Sequence, residues 1–439
     1  MKFNNSPKNR TNYLNIRKTL KALMAFKKIK GATDYYPAEQ LIQDCIYSDF
    51  AGVAKNYGFE HVEPPVLERI ELLTAKSGEE IKEQIFPIEK RGKEEIGLRF
   101  EFTAGIARMF VQKQKSLSKP VKWFSFNKAW RYERPQSGRE REFFQFNAEL
   151  IGSDKVEADA ELINMAIDCL CSLGLTKNDF FVKLNNRKLL YGLLQELVPE
   201  EKITPAIRII DKKEKITKEQ FQKELSDCGV NNTKDIENIL YMSWEELSNE
   251  FNNMNETAKE GFNELKQITE YAYKDFLKFD ISIARGLDYY TGIVFEIFDT
   301  NQELRALGGG GRYDNMIEVF GGEKCPATGF GLGYSPLLLY LEKKNLLPEY
   351  KKEYDYFVIN VSYEYKKDAI KIANKLREKN SVLVDLMGRN LGKQLKHANS
   401  AGAKKVIFVG EEEMKKGNIK LKDMETGEEK ELKLSELGL

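Results

Sequence analysis

The segment Arg131–Gly152, RYERPQSGREREFFQFNAELIG, constrains this chain more than any other. The apolar run VKWFSF (121–126) leads into it. Four arginines, at 131, 134, 139 and 141, surround a Pro-Gln-Ser-Gly turn, and two acceptors, Gln145 and Glu149, follow. Apolar and aromatic runs on either side of a Pro/Gly turn predict strand, turn-bearing loop, strand. Arginines on such a loop suit a polyphosphate, because a guanidinium presents forked donors and a permanent charge. A solvated, charged hairpin with no function accounts for the same residues.

Length and composition set the outer bounds. A chain of 439 residues, 41% of them apolar, predicts two or three domains with a sizeable core. Lys and Arg total 69 against 68 Asp and Glu, a net charge of +1. That balance gives no general attraction for nucleic acid and leaves room for a local basic face. No apolar run reaches the roughly 18 to 20 residues of a membrane span. With no secretory signal either, a cytoplasmic location is expected. The five cysteines (45, 169, 171, 228, 325) lack metal-ligand spacing and read as buried thiols. His61 and His397, the only histidines, stand far apart without a serine or cysteine motif. Metal-hydrolase and Ser-His-Asp chemistry are poorly supported.

Helical spacing runs over 38–57 and stops at Gly58. GFEHVEPPVLE (58–68) predicts a strand ending at Pro64-Pro65. Residues 155–173 predict a helix and FFVKLNN (180–186) a strand. From about 187 to 275 the chain is helical, charged and Asn-rich. ISIARGLDYYTGIVFEIF predicts two short strands around Gly292, and a helix begins near Tyr313. ATGFGLGYSPLLLYLEKKN (327–345) predicts strand, Gly-rich turn, helix. After 353, FVINV, VLVDL and KVIFVG alternate with helical patterns, which implies a βαβ unit with a partly parallel sheet, closed by a hairpin around Glu425–Glu428.

Three segments together carry a resemblance. RYERPQSGREREFFQFNAELIG resembles motif 2 of class II aminoacyl-tRNA synthetases; RGLDYYTGIVFE (285–296) and ALGGGGRYD (306–314) resemble the histidine-specific signatures of histidyl-tRNA synthetases. A four-glycine run alone would be weak; in this order and company it is strong. Lys30, Gly31, Asp34 and Pro37 resemble the family's amino-terminal KG-x-x-D-x-x-P element, 58–68 resembles motif 1, and LRFEFT (98–103) resembles L-R-P-E-x-T with Phe100 in place of proline. The resemblance implies an α+β catalytic domain on an antiparallel class II sheet (24–345, with a helical insertion at about 187–275) and a carboxy-terminal α/β anticodon-binding domain (353–439). Residues 1–23, with six basic and no acidic residues, form an extension: a flexible tail, with a tRNA-binding arm as the alternative.

The implied reaction joins L-histidine to tRNA(His) through an adenylate made from ATP, with Mg²⁺ expected from the family, in a homodimer built through motif 1. Arg131 would contact the α-phosphate, with Arg285 opposite, and Arg139 the distal phosphates with Arg141 in support. Glu133 would accept from the adenine amino group and Phe143 stack on the ring. Glu101, Thr103 and Gln145 would hold the α-ammonium; Glu149 and Tyr290 would read the imidazole nitrogens, with Tyr289 beside them. Gln145 joins the two arginines at the reacting centre. Gly308–Gly311 would allow close backbone approach, since no Cβ intrudes. Alone, Glu149 reads as a salt-bridge partner, the tyrosines as strand packing and the glycines as a loop.

One departure stands out. Motif 3 in the family ends Gly-x-Glu-Arg; here Gly333-Tyr334-Ser335-Pro336 stands instead. Proline suits a first helical turn, but the cation is gone. Arg312 or a lysine elsewhere is the replacement the sequence offers. The loss also supports an alternative function, a non-catalytic paralogue that binds histidine or tRNA as a regulator.

Overall fold

The computed structural model describes residues 27–75, 79–90, 92–213, 216–230, 232–285, 289–349 and 352–437. The extension 1–23 lies outside them. The chain divides into two units, one ending at Pro348 and one beginning at Glu349.

The first unit is organised by a mixed sheet. Its strands are β1 (Glu60–His61), β4 (Val121–Trp130), β5 (Glu142–Ile151), β6 (Phe180–Asn186), β7 (Leu277–Phe279), β8 (Ile293–Asp299), β9 (Gly308–Arg312) and β10 (Ala327–Gly333). They run in the order β1-β4-β5-β10-β9-β8-β6-β7. The six inner strands pair antiparallel, while β1 and β7 join the edges in parallel. β2 (Leu67–Arg69) and β3 (Ile96–Leu98) form a separate pair.

The strand period of two divides the sheet's faces. Phe124, Phe146, Phe330 and Phe295 point to one side, all at most 2% exposed. They pack with the helices Pro37–Asn56 and Val156–Ser172 through Ile46, Phe50, Ile163 and Ile167. Phe50 meets Phe146 edge-on at 5.3 Å between centroids. Burial of such rings contributes about 1.5–3 kcal/mol each, so this face holds the sheet to its helices. The opposite face carries a second core at one end, Val121, Trp123, Ile151 and Ala327 against Ile106 and Phe110 of the helix Thr103–Lys113, and the rest of it is left for chemistry. Between β6 and β7 the chain runs through helices from Arg187–Gln195 to Glu256–Tyr271.

Three local expectations change. The strand before Pro64-Pro65 is shorter than expected, pairing only at Glu60–His61 as β1, and a second strand, β2, follows the prolines. Proline has no N–H for a ladder. Among the described residues before Gly292 the first of the two strands does not form; 281–285 is turn and irregular chain. Its carbonyls are taken by side chains instead. Asn185 Nδ2 donates to Ile281 O (2.8 Å) and Ile283 O (2.9 Å), and Arg187 Nη1 donates to Ala284 O (3.0 Å). The glycine run, conversely, is a central strand: β9 lies between β8 and β10. After it, only a short helix forms, Met316–Val319.

β9 is anchored at Arg312, the one residue of the strand with a side chain. Its guanidinium donates to Asp159 Oδ2 from Nε (2.9 Å) and Nη2 (2.7 Å), to Ser153 O (2.9 Å), to Lys155 O (2.9 Å) and to Asp314 Oδ1 (3.2 Å). Burial opposes its charge, but Asp159 and Asp314 outweigh that and push its pKa up.

The second unit carries β11 (Tyr354–Asn360), β12 (Val382–Val384), β13 (Ala403–Val409), β14 (Asn418–Asp423) and β15 (Glu429–Lys433), ordered β12-β11-β13-β14-β15. The first three are parallel and the last two antiparallel. The helices Lys366–Leu376 and Leu391–Ser400 provide the crossovers that parallel pairing requires.

Asp159→Asn leaves a buried guanidinium short of its main counter-charge. It is expected to destabilise the protein by about 3–5 kcal/mol in urea unfolding. A loss below about 1 kcal/mol would show that the pair does not anchor β9.

Candidate active site

Directly opposed residues in a sheet share a face, so the register defines the free side. One row runs Glu149, Gly329, Gly311, Val294; the next runs Asn147, Gly331, Gly309, Glu296, Lys183. Gln145 stands opposite Gly333. The middle of this face is therefore a floor of bare backbone. A Cβ at Gly329 would collide with Glu149 Oε2 and stand 2.6 Å from the Tyr313 hydroxyl. One at Gly331 would stand 2.6 Å from Gln145 Nε2, and one at Gly309 would collide with Arg285 Nη1. Polar side chains lie flat over the glycines, which is what the expectation of close approach at Gly308–Gly311 amounts to in the strand.

Two adjoining cavities open on this floor. The smaller, about 450 Å³, is lined by all eight residues assigned to histidine: Glu101, Thr103, Arg131, Gln145, Glu149, Arg285, Tyr289 and Tyr290. The larger, about 910 Å³, is lined by Arg131, Glu133, Arg139, Phe143 and Arg285 of the nucleotide set. Arg131, Gln145 and Arg285 belong to both linings, as do Glu133, Arg139, Ala306 and Gly333, so all of them stand at the junction. Arg141 lines neither. Its Nε donates to Glu133 O (3.0 Å) and its guanidinium lies 4.4 Å over the Tyr132 ring. It braces the loop, as does Gly31 O, which accepts from the Arg141 and Glu142 amides (2.8 and 3.0 Å).

Each site residue is held by a local partner. Glu101 accepts from the Thr103 amide (2.7 Å) and the Ala104 amide (2.9 Å) at the start of the helix Thr103–Lys113. A carboxylate suits those amides and the positive end of the helix. The Thr103 hydroxyl donates to Glu149 Oε1 (2.7 Å), and Glu149 is 1% exposed. Gln145 Nε2 donates to Asn147 Oδ1. Arg131 Nε donates to Phe100 O (3.1 Å), and its guanidinium stands 5.1 Å over Phe143. Arg139 is ion-paired with Glu133. The loop tip is a tight turn in which Gln136 and Arg139 exchange backbone hydrogen bonds at 3.0 and 2.9 Å.

Arg285 has a left-handed φ of +47°, which a side chain with a Cβ resists. Its Nη1 donates to Glu296 Oε1 at 2.9 Å. Burial works against its charge, yet Tyr290, Glu296 and Tyr289 overcome it and the guanidinium is held more firmly protonated. Arg131 shifts the other way: burial and the nearby Arg285 lower it, against Glu101 and Tyr289. Burial, Arg305 and Arg131 also lower Arg139. Like charges gathered in a partly closed space favour an anion between them. Burial and Tyr290 push the Tyr289 phenol well up, so it is a neutral donor.

Sequence reasoning overlooked Tyr313, Arg305 and Lys183. The Tyr313 hydroxyl is buried in the smaller cavity and has no protein hydrogen-bond partner among the described residues. Its signal lay inside ALGGGGRYD, one residue past the strand. Arg305 and Lys183 line the larger cavity with Pro336. Arg312, suggested as a stand-in for the motif 3 cation, lines neither cavity; its donors are spent on the Asp159 anchor.

A six-strand antiparallel core with parallel edges, a helical second layer and arginines over a glycine floor define a class II aminoacyl-tRNA synthetase. Residues 31–337 match the histidyl-tRNA synthetase family and residues 355–438 the anticodon binding domain. The chain is 39% identical to the histidine–tRNA ligase of Pyrococcus horikoshii over 426 residues, covering 94% of this chain and 97% of the relative. It is 37% identical to the chloroplastic/mitochondrial histidine–tRNA ligase of Arabidopsis thaliana, over 93% of this chain and 85% of the relative. The crystal structure of histidyl-tRNA synthetase from Nostoc superposes with a TM-score of 0.76 at 25% identity, covering 94% of this chain and 98% of that one. The protein belongs to the histidyl-tRNA synthetase family.

Proposed function

We propose that this protein joins L-histidine to tRNA(His) in two steps. The histidine carboxylate attacks the α-phosphorus of ATP and expels pyrophosphate; the terminal ribose hydroxyl of the tRNA then attacks the acyl carbon and releases AMP. The observation that carries the reading is the junction: Arg131 and Arg285 line both cavities, where a carboxylate from the smaller would meet a phosphate in the larger. Negative charge builds at that phosphorus, and fixed cations stabilise it without reorganisation.

Histidine occupies the smaller cavity. Glu149, held by Thr103, accepts one imidazole N–H. A tyrosine hydroxyl serves the other nitrogen: Tyr290 by resemblance, with Tyr313 sharing the Gly329 floor beside Glu149. An apolar side chain there would leave the buried carboxylate unmatched. Glu101, Thr103 and Gln145 hold the α-ammonium. In the larger cavity adenine stacks on Phe143, Glu133 accepts from its amino group, and Arg139 meets the distal phosphates while Arg141 braces the loop.

Magnesium fits this site as part of the nucleotide. The described residues hold no cluster of three or more His, Cys, Asp or Glu suited to a metal. Glu133 and Glu296 are committed to Arg139 and Arg285. Mg²⁺ keeps waters and phosphates as ligands, so it would ride on the triphosphate and neutralise its charge. The last unit, 353–439, reads the anticodon, the helical stretch 187–275 reaches the acceptor arm, and the enzyme works in the cytoplasm, where its tRNA substrate is. No helix among the described residues is long and apolar enough to cross a membrane. Exposed Val66 and Leu67 in the motif 1 segment support a homodimer built there.

Histidine-dependent ATP–pyrophosphate exchange tests the reaction. Exchange is expected with histidine alone among the standard amino acids, and Glu149→Gln is expected to weaken histidine use far more than ATP use. Exchange absent at saturating ATP would favour the regulator. Arg285→Ala is expected to lower the maximal exchange rate by about 100-fold or more; an unchanged rate would remove Arg285 from the reacting centre. Light scattering at micromolar concentration is expected to report a dimer, and a monomer there would contradict the motif 1 assignment.

A further inference from the structure

The larger cavity ends at Gly333–Pro336, where the helix Tyr334–Lys343 begins without a cation. The arginine loop lies against that turn: a Cβ on Gly138 would stand 3.5 Å from Leu339 and 3.8 Å from Pro336 Cα. Any charge for the far end of a triphosphate beyond that of Arg139 must therefore come from an element other than this helix. Most of the lining cations are engaged. Arg139 pairs with Glu133, Arg285 with Glu296, and Lys183 with Asp280 at 2.9 Å; Lys213 stacks 4.0 Å over Tyr241.

Arg305 is different. It sits in the connection between β8 and β9 and lines the same cavity. Among the described residues its guanidinium has no carboxylate partner; Nη2 donates to Gln136 Oε1 at 2.8 Å. Gln136 is the residue paired with Arg139 across the tight turn, so this contact brings Arg305 to the tip of the arginine loop. Its charge is felt there, since Arg305 helps to lower the Arg139 guanidinium. The connection is stiff. Asp299, 2% exposed, accepts from the Glu303 amide (3.2 Å) and the Leu304 amide (3.0 Å). An arginine on a braced turn, held by a neutral amide next to a second arginine, keeps donors for an anion at little ordering cost.

We propose that Arg305 binds the distal phosphates of ATP, exchanging its Gln136 contact for phosphate oxygens, and so supplies from the β8–β9 connection the charge that Pro336 does not. This rests on the nucleotide occupying the larger cavity as described above. Arg305 is a binding residue for the leaving group and does not touch the bond being made.

The test is Arg305→Ala and Arg305→Lys in the full chain, with folding checked by thermal unfolding. In pyrophosphate exchange, Arg305→Ala is expected to raise the KM for ATP by about 10- to 100-fold, the scale of one charge-assisted contact, and to leave the KM for histidine unchanged. Equilibrium binding should weaken for ATP and inorganic pyrophosphate but not for AMP, a split that loss of a merely structural contact would not produce. Arg305→Lys should recover part of the ATP affinity. Wild-type exchange together with unaltered ATP affinity in Arg305→Ala would overturn the assignment and leave the reaction standing. Equal loss for ATP and AMP would overturn it too. Wild type without exchange or ATP binding would instead overturn the reading on which it rests.

Discussion

The site depends on a missing row of side chains. Strands β9 and β10 lie in the middle of the sheet, and past Ala327 one face of them carries only glycine, at Gly309, Gly311, Gly329, Gly331 and Gly333. Glycine weakens a strand, since it loses more backbone entropy on ordering and packs nothing. The pairing on both sides must hold β9 in place, and the Arg312–Asp159 anchor fixes its end. The gain is depth. Glu149, Gln145 and Arg285 lie over the floor in space that any Cβ would occupy. A slip of one residue in register would turn the free face onto Phe330 and Phe295 and close both cavities.

Above that floor the arginines divide by what surrounds them. Arg312 is almost fully buried and makes five hydrogen bonds with its guanidinium, so no donor is left for a ligand. Arg99, 1% exposed, spends Nε and Nη1 on Glu63 and the carbonyls of Pro64 and Lys128, while its buried Nη2 has no hydrogen-bond partner among the described residues. Arg131 is directed by its hydrogen bond to Phe100 O and Arg285 by its pair with Glu296, and both guanidinium groups line the junction of the cavities. Preorganisation of this kind is what stabilises a pentavalent phosphorus: the charges are already in place when the charge develops. Its cost is visible in the left-handed backbone of Arg285, a strain of the sort that collects at functional sites.

Charge at the loop tip obeys the same logic. Burial, Arg305 and Arg131 lower the Arg139 guanidinium, while Glu133 supplies a counter-charge at the loop. A motif 3 that begins its helix with Tyr334-Ser335-Pro336 is compatible with such an arrangement, because Ser335 instead donates to Glu140 (3.1 Å) and ties the helix start to the arginine hairpin.

Much of this was legible in the chain. Arg131–Gly152 announced strand, loop and strand because aromatic runs flank a Pro/Gly turn, and β4 and β5 meet there over ten residues each. The order of the units, the helices between β6 and β7 and the βαβ pattern after 353 follow from periodicity, which depends only on neighbours along the chain. Tertiary structure decided what periodicity does not encode. Four glycines have no strand preference of their own, so only pairing from both sides makes β9 a strand. Residues 281–285 had the apolar look of a strand, but Asn185 and Arg187 took their carbonyls first. Arg141, Arg305 and Arg312 are alike as letters; a stacking tyrosine, a neutral glutamine and a buried aspartate gave them different fates. An arginine's use is set by how many of its donors its surroundings leave unspent, and that is a property of the folded neighbourhood.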